Sequence, residues 1–364
     1  MAGAVAQRLA SAHPGEFDVD IVDPFASEAP RATTRLATAL YGPLTVYAPW
    51  IWGGMWHASN SRPMAGLVEI GLRVVDPRVK RRIAELQPAA IVSFHALLGR
   101  AAVRARRALG MDVPVLTLVT DLVDVHALWA TQQADLVIVP SRIAFDRCRR
   151  NGVPPERIAL IGLPVDPLFT EPRLDPERRR ARRRELGLDP DRFTVMLSGG
   201  ADGSGELVRR ARLIAGHARE VGLVVVCGHN QRAERQLEGL VDHAGRPVTV
   251  LGFIHDMPRW MSAVDAVVTK AGAGTVVEAL CSGLPLLIDW FLPGQERGNM
   301  EWVVAGGAGR YVPDDGELLR ELAELSAPGS PSLAAMRTAA AQMARPHATA
   351  EIAEAVRAMA RRER

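Results

Sequence analysis

Residues 267–299 read VVTKAGAGTVVEALCSGLPLLIDWFLPGQERGN. The run 266–269 has the length and β-branched character of a buried strand. A turn of small residues follows, Ala271, Gly272, Ala273 and Gly274, and Thr275 opens a helical pattern that ends near Gly283. Glycines let backbone come close to a ligand, and a helix N-terminus offers free N–H donors and the positive end of a dipole. Strand, glycine turn and helix start together predict a phosphate pocket. Residues 284–288 predict a second buried strand, and the turn 293–299 beyond it carries four hydrogen-bonding side chains. Phosphate pocket, strand and polar turn fit a sugar carried on a diphosphate. Thr275 and Glu278 stand open to two readings. Their spacing is that of a capping box, with Glu278 reaching back to the helix's own backbone, and equally that of a ligand contact. A glycine turn before a helix is a weak signal by itself. Lys270 lies at this turn and is, with Lys80, one of two lysines among 44 basic residues.

Outward from this stretch the same alternation recurs. Strand patterns at 193–198, 223–227, 248–251 and 266–269 alternate with helical patterns at 206–220, 230–243 and 257–263, and a glycine turn, 199–205, follows the first of them. Upstream, strands are expected at 89–94, 113–119, 136–140 and 158–161, with a helix at 143–151. Strands alternating with helices imply parallel sheets with right-handed crossovers. The fold class is therefore α/β. Gly162-Leu-Pro-Val-Asp-Pro167 breaks the pattern and marks a domain boundary. The expected division is 1–165, 166–345 and a C-terminal helix at 346–364. Two such domains with glycine turns facing one another make a cleft.

Composition excludes several classes. The 364 residues are 48% hydrophobic and 23% charged, ordinary globular usage, with a net charge of +3. That charge does not demand nucleic acid and is compatible with an anionic surface. Cys148, Cys227 and Cys281 are far apart, which argues for a reducing compartment and against a zinc or disulfide framework. No run approaches the ~20 apolar residues of a membrane span. The expected location is cytoplasmic, peripheral at the inner face of the cell membrane. Five of the seven tryptophans lie at 50, 52, 56, 129 and 260, three of them in the aromatic stretch 41–62. These three fit buried packing and equally a surface that meets lipid. Arginines crowd 178–184, read as a solvated helix face or as a contact for anionic headgroups.

The N-terminal half begins unusually. Residues 1–12 read as a helix and 19–22 as a strand, so the chain opens inside a helix and the expected first strand with its glycine turn is missing. A helix is expected over 64–86. His95 sits just past the strand 89–94, and Asp121 and His126 just past 113–119, the edge where open α/β sheets bind ligands. A histidine near neutral pKa is the first candidate for a general base. A lone histidine after a strand is more often a loop residue than a catalyst, and His95 stands open to both readings.

Taken in order, Thr269-Lys-Ala-Gly-Ala-Gly-Thr-Val-Val-Glu278, Gly283-Leu-Pro and Gly294-Gln-Glu-Arg-Gly-Asn299 resemble the signature of monogalactosyldiacylglycerol synthases and processive diacylglycerol glucosyltransferases. These are relatives of the lipid II GlcNAc transferase. Ser198-Gly-Gly-Ala-Asp-Gly-Ser-Gly205, Cys227-Gly-His-Asn230, Leu251-Gly-Phe-Ile254 and Val119-Thr-Asp-Leu122 with His126 and Trp129 extend the match over most of 85–312. The resemblance implies a GT-B fold of two Rossmann-like, doubly wound domains, with an acceptor in the first and a UDP-sugar in the second. It implies an inverting transfer of galactose or glucose to diacylglycerol or a similar membrane lipid, with no cofactor or essential metal. Phe253 would meet the uracil edge and Glu278 the ribose. Gly272, Gly274 and Thr275 would hold the diphosphate, with Lys270 stabilising the leaving UDP. Gln295, Glu296 and Asn299 would bind the sugar hydroxyls. Gly199, Gly200 and Gly203 would close over the donor, and Asn230 lies in a matching motif. His95, Asp121 and His126 are the candidates for base and orientation. The family's histidine at the end of the first glycine turn has no counterpart, and His95-Ala96 and His126-Ala-Leu-Trp129 stand where the family has His-Pro and His-Pro-Thr-Trp. Two other readings share the scaffold: a UDP-GlcNAc-using transferase or 2-epimerase, and a UDP-sugar-binding protein without catalysis.

Overall fold

The computed structural model describes residues 1–25, 48–171, 173–201, 203 and 206–361. They form two compact units. The first comprises 1–165, 293–295 and 347–364, and the second 166–292 and 296–346. Positions 41–47 of the aromatic stretch, and Asp202, Ser204 and Gly205 of the glycine turn, lie outside the described residues.

In the first unit β1 (Ile91–Ser93), β2 (Val115–Leu118), β3 (Leu136–Val139) and β4 (Ile158–Leu160) make a parallel sheet in chain order. Val115, Leu116, Leu118, Val137, Ile138 and Val139 are fully buried, as expected of strands covered on both faces. The helices Ala96–Leu109 and Arg142–Arg150 make the connections, each started by a side-chain cap, from His95 and Ser141. The final helix, Ala348–Arg361, lies on Ala2–Ala12, where His13 meets Glu354 at 2.7 Å and Arg357 and Arg361 both reach Glu16.

Three expectations change here. Residues 19–22 form no strand. They and β1 line a common cavity of about 700 Å³, with Val5, Leu9, Ile83 and Leu98 among its other walls, so no ladder forms between them. The helix expected over 64–86 is two helices, Arg62–Leu72 and Asp76–Leu86, joined by a 3₁₀ turn. Pro77 sets the break, since it has no N–H to continue a helix and suits a first turn. The three tryptophans at 50, 52 and 56 lie on the helix Pro49–Ser59 and divide: Trp56 is buried, whereas Trp50 is 73% exposed.

In the second unit β5 (Phe193–Ser198), β6 (Val221–Val226), β7 (Thr249–Leu251), β8 (Ala266–Lys270), β9 (Leu286–Trp290) and β10 (Gly309–Tyr311) form one parallel sheet. Its order is β10-β9-β8-β5-β6-β7. The chain winds outward from β5 to β7, returns to β8 on the other side of β5, and winds outward again. This is a doubly wound sheet whose order reverses between β5 and β8.

The run of arginines at 178–184 is not a uniform solvated face. On the helix Pro176–Glu185, Arg179 and Arg183 turn inward to Asp265, which immediately precedes β8. Asp265 also accepts from the Thr194 N–H at the start of β5, 3.0 Å away. One buried carboxylate thus ties helix and two strands together. Asp265→Ala leaves Arg183 buried without its counter-ion, and we expect a loss of about 3–5 kcal/mol. A urea midpoint lowered by that loss divided by the m-value, with the m-value itself unchanged, would be the signature, and an unchanged midpoint would refute it.

Candidate functional site

The reversal between β5 and β8 places the loop after β5 beside the loop after β8. Gly200 and Gly203 of the first loop have φ of +75° and +56°. A side chain at Gly203 would run into the Cys227 carbonyl, and one at Gly228 into the Ala201 carbonyl. The turn after β5 and the turn after β6 therefore touch backbone to backbone, joined by the His229 N–H to Ala201 at 2.7 Å. Asn230 caps the helix Gln231–Leu237 through Ala233 N–H and donates to the Gly203 carbonyl at 3.0 Å.

The helix after β8 is Ala273–Cys281, with Gly272 as its N-cap. It starts two residues before the position read from Thr275, and no side chain caps it. The capping box is thus not formed. The first-turn N–H groups of Ala273, Gly274 and Thr275 have no intrahelical acceptor. The Glu278 carboxyl makes no side-chain hydrogen bond among the described residues, and burial raises its pKa. Lys270 stands at this helix start: a Cβ on Gly272 would lie 3.1 Å from its Nζ, and one on Gly200 3.3 Å from its Cε. A cation beside the positive end of a helix dipole is unfavourable without an anion. Here Glu296, buried after β9, supplies it by pairing with Lys270. The other carboxylate oxygen of Glu296 accepts from Leu292 N–H at 2.9 Å. Asn299 is buried and donates to the Ala271 carbonyl at 2.9 Å, while its own side-chain oxygen has no partner. Gly199, Gly200, Gly203, Lys270, Gly272, Gly274, Thr275, Glu296 and Asn299 therefore gather at the carboxyl ends of β5, β8 and β9.

Phe253 lies just beyond β7, 46% exposed, with its ring stacked on His229 at 4.1 Å and 8°. His255 meets the same ring edge-on at 5.0 Å. This histidine–phenylalanine stack was missed in the sequence, although His229 sits inside the quoted motif 227–230.

The three groups named for proton transfer lie in the first unit, beyond β1 and β2. His95 is exposed and its Nδ1 accepts from Leu97 N–H at 3.3 Å. His126 is buried, and its Nδ1 accepts from Leu128 N–H at 3.2 Å. Its Nε2 contacts the Ser59 hydroxyl at 3.1 Å, and its ring lies against Trp56 at 5.5 Å. An accepting Nδ1 places the proton of a neutral imidazole on Nε2. His126 therefore has no free lone pair in this geometry, and burial followed by the Arg100 charge pulls its pKa down to about 4. Asp121 accepts from the Trp129 indole at 2.7 Å and bonds to Gln295, which belongs to this unit rather than to the group around Glu296. Burial is the largest influence on Asp121 and raises its pKa to about 6.

Residues 194–352 match the glycosyltransferase family 28 C-terminal domain, and residues 5–165 match monogalactosyldiacylglycerol (MGDG) synthase. A probable chloroplastic monogalactosyldiacylglycerol synthase 2 of Oryza sativa subsp. japonica is 33% identical over 83% of this chain and 66% of its own. Monogalactosyldiacylglycerol synthase 1 of Arabidopsis thaliana is 31% identical over 78% of this chain and 54% of its own. The chain thus spans about two thirds or less of the length of these relatives. Among solved structures, Acinetobacter baumannii MurG superimposes with a TM-score of 0.57 at 20% identity, covering 78% of this chain and 77% of that one. Anabaena HepE in complex with UDP and glucose gives 0.54 at 18%, covering 78% and 81%. The fold is the expected GT-B fold.

Two outcomes follow from the geometry. The raised pKa of Asp121 means that its contribution to stability is complete below its ordinary value of 3.8 and is lost as pH rises through about 6. The shift corresponds to about 3 kcal/mol. Relative to Asp121→Asn, the unaltered protein should lose that amount between pH 4 and 7, measured by urea titration; parallel curves would contradict the burial of the charge. If the helix start takes a diphosphate, Lys270→Met should weaken binding of a nucleoside diphosphate probe roughly 10–100-fold, the worth of a charge-assisted hydrogen bond. Calorimetry showing equal affinity would remove Lys270 from the site.

Proposed function

The chain belongs to the monogalactosyldiacylglycerol synthase family, joined to a glycosyltransferase family 28 C-terminal domain, and we propose that it transfers a hexose from a UDP-sugar to a diacylglycerol-like lipid. The observation that carries this reading is the pairing of Lys270 with an uncapped helix start at the strand-order reversal. Two positive features converge there and are balanced by one carboxylate, an arrangement suited to a diphosphate. In this reading Gly272, Gly274 and Thr275 hold the diphosphate through backbone N–H groups. Lys270 stabilises the charge on the departing UDP, and no metal is essential. Glu278 binds the ribose and Phe253 the uracil edge. A diphosphate that meets Lys270 frees Glu296 for the sugar hydroxyls, which Asn299 also contacts. His95 is assigned as the base: its Nε2 has no partner among the described residues, its Nδ1 lone pair is held by the Leu97 N–H, so it accepts a proton once that cap bond is released, and desolvation keeps its pKa low enough for the neutral form. Asp121 is assigned to orientation.

The lipid acceptor is supported by the surface of the first unit. On the helix Arg62–Leu72, Met64, Leu67 and Ile70 recur at three-residue spacing and are exposed, Leu67 and Ile70 by 61% and 60%. The opposite side carries Ala65 and Val68 into the cluster with Ala127 and Leu128. Trp50 and Met55 on the preceding helix are exposed as well. Arg73, Arg78, Lys80, Arg81 and Arg82 follow closely, a composition suited to an anionic bilayer surface. No helix among the described residues is long and apolar enough to cross a membrane. The proposed location is peripheral, at the inner face of the cell membrane.

The test is transfer of labelled hexose from UDP-galactose or UDP-glucose into diacylglycerol held in phosphatidylglycerol vesicles. Labelled glycolipid that His95→Ala reduces by at least 100-fold would support the assignment. A folded protein that binds UDP and labels no lipid from either donor would overturn the catalytic reading. Leu67→Ser with Ile70→Ser should reduce vesicle sedimentation severalfold while leaving UDP binding unchanged.

A further inference from the structure

At the edge of the second sheet opposite the donor loops, Asp265 stands at the centre of four arginines. Its Oδ2 accepts from Arg183 and Thr194 N–H. Its Oδ1 lies 2.5 Å from Arg179 Nη1, 3.1 Å from Arg337 Nη2 and 3.8 Å from Arg173 Nη2. Four positive charges therefore face one negative charge, in a place where the carboxylate itself is buried. The neighbouring carboxylates are committed elsewhere: Glu185 to Arg182 and Arg259, Asp191 to Arg180, and Asp175 to Arg178.

A structural clasp explains part of this cluster. Arg183 is 3% exposed and spends its remaining donors on the Ala263 and Pro190 carbonyls, so it completes the joint between helix and strands. One Arg–Asp pair suffices for that. The side chains of the other three arginines are each only partly buried, and Arg173 also donates to the Gly283 carbonyl at 3.3 Å. The Nε of Arg337 is buried and has no acceptor. Arg173 is pushed down to about 10 by burial and then by the charges of Arg337 and Arg179, the mark of cations crowded together without enough counter-charge.

We propose that Arg173, Arg179 and Arg337 form a binding site for a phosphate-bearing anion, separate from the donor site. The planar fork of guanidinium matches phosphate oxygens in pairs, and three converging forks leave a dianion well matched in charge. Binding there joins the helix Pro176–Glu185, which carries Arg179, to the helix Pro331–Met343, which carries Arg337, by neutralising the repulsion between them. The ligand is a phosphate monoester or diester group, either on a small molecule in solution or on a lipid headgroup.

The probe is inorganic phosphate, titrated by calorimetry and thermal melting against chloride at equal ionic strength. The expected result is a rise in Tm of several degrees that saturates at millimolar phosphate or below. Arg337→Ala and Arg173→Ala should each abolish this rise, and Arg173→Lys should weaken phosphate binding at least tenfold. UDP affinity should stay unchanged in all three. In phosphate-free buffer Arg337→Ala should melt no lower than the parent, because one like charge has been removed from the cluster. Vesicles of phosphatidic acid against phosphatidylcholine distinguish the sources. Binding to the first that Arg173→Ala removes assigns a headgroup, and phosphate binding without it assigns a soluble ligand. Phosphate and chloride acting alike, or a phosphate effect that survives both alanine variants, would mean an adventitious ion only and overturn the proposal. So would variants that unfold in phosphate-free buffer while the parent ignores phosphate, the behaviour of a clasp alone.

Discussion

The reversal of strand order between β5 and β8 is the constraint from which the proposed donor site follows. Adjacent parallel strands whose connections leave in opposite directions cannot both be covered by the same helix at their carboxyl ends. A crevice opens between the turn after β5 and the turn after β8, and both turns are built of glycine for a reason of space. Gly203 and Gly228 are pressed against carbonyls of the neighbouring turn, and Gly200 and Gly272 leave room for the Lys270 stem. A Cβ at Gly203 or Gly228 would collide with rigid backbone, whereas one at Gly272 would meet the end of a flexible lysine and, at ordinary contact distance, the Glu296 carboxylate. The first pair are requirements of the fold, and Gly272 is a requirement of the space the site needs.

Much of this was legible because it is local. The apolar runs that became β5, β6, β8 and β9 are long, β-branched and bounded by glycine, so periodicity and punctuation agree. The glycine turn and helix start after β8 are contiguous in sequence, so their succession needed nothing from elsewhere. What failed to show was long-range or depended on pairing. β10 is three residues, Gly309–Tyr311, too short to carry a period, and exists because Leu286, Leu287 and Ile288 offer it a ladder. Residues 19–22 have the alternation of a strand and remain outside the sheet, since alternation describes a face and not a partner. The arginine run looked like a solvated surface because its partner, Asp265, lies more than 80 residues downstream of it.

The histidines show the same division on a smaller scale. His95 and His126 were singled out because they follow strands, and both do occupy the carboxyl edge of the first sheet. Their common local role, accepting a backbone N–H two residues on, is a capping role that sequence spacing hides. What separates them is the rest of the environment. His126 is enclosed by Trp56 and Ser59, contributed from some 70 residues upstream. His95 has the same accepting Nδ1, and its Nε2–H meets no partner among the described residues. The packing of a distant helix is what encloses one cap and leaves the Nε2 of the other without a partner.

Glu296 is the point at which the donor reading and the ligand-free geometry meet. Its assignment to sugar hydroxyls and its observed pairing with Lys270 look incompatible when each is taken alone. They are consistent if the carboxylate holds the place of the diphosphate. Without an anion, a lysine beside an open helix N-terminus needs a counter-charge, and Glu296 is the buried carboxylate within reach. In the proposed reading a diphosphate would meet that need more fully, by more oxygens and more charge, and would free the carboxylate to accept from hydroxyls nearby. Recognition of the phosphates would then precede recognition of the sugar for an electrostatic reason. A nucleotide that lacked the second phosphate would leave Glu296 still bound to Lys270.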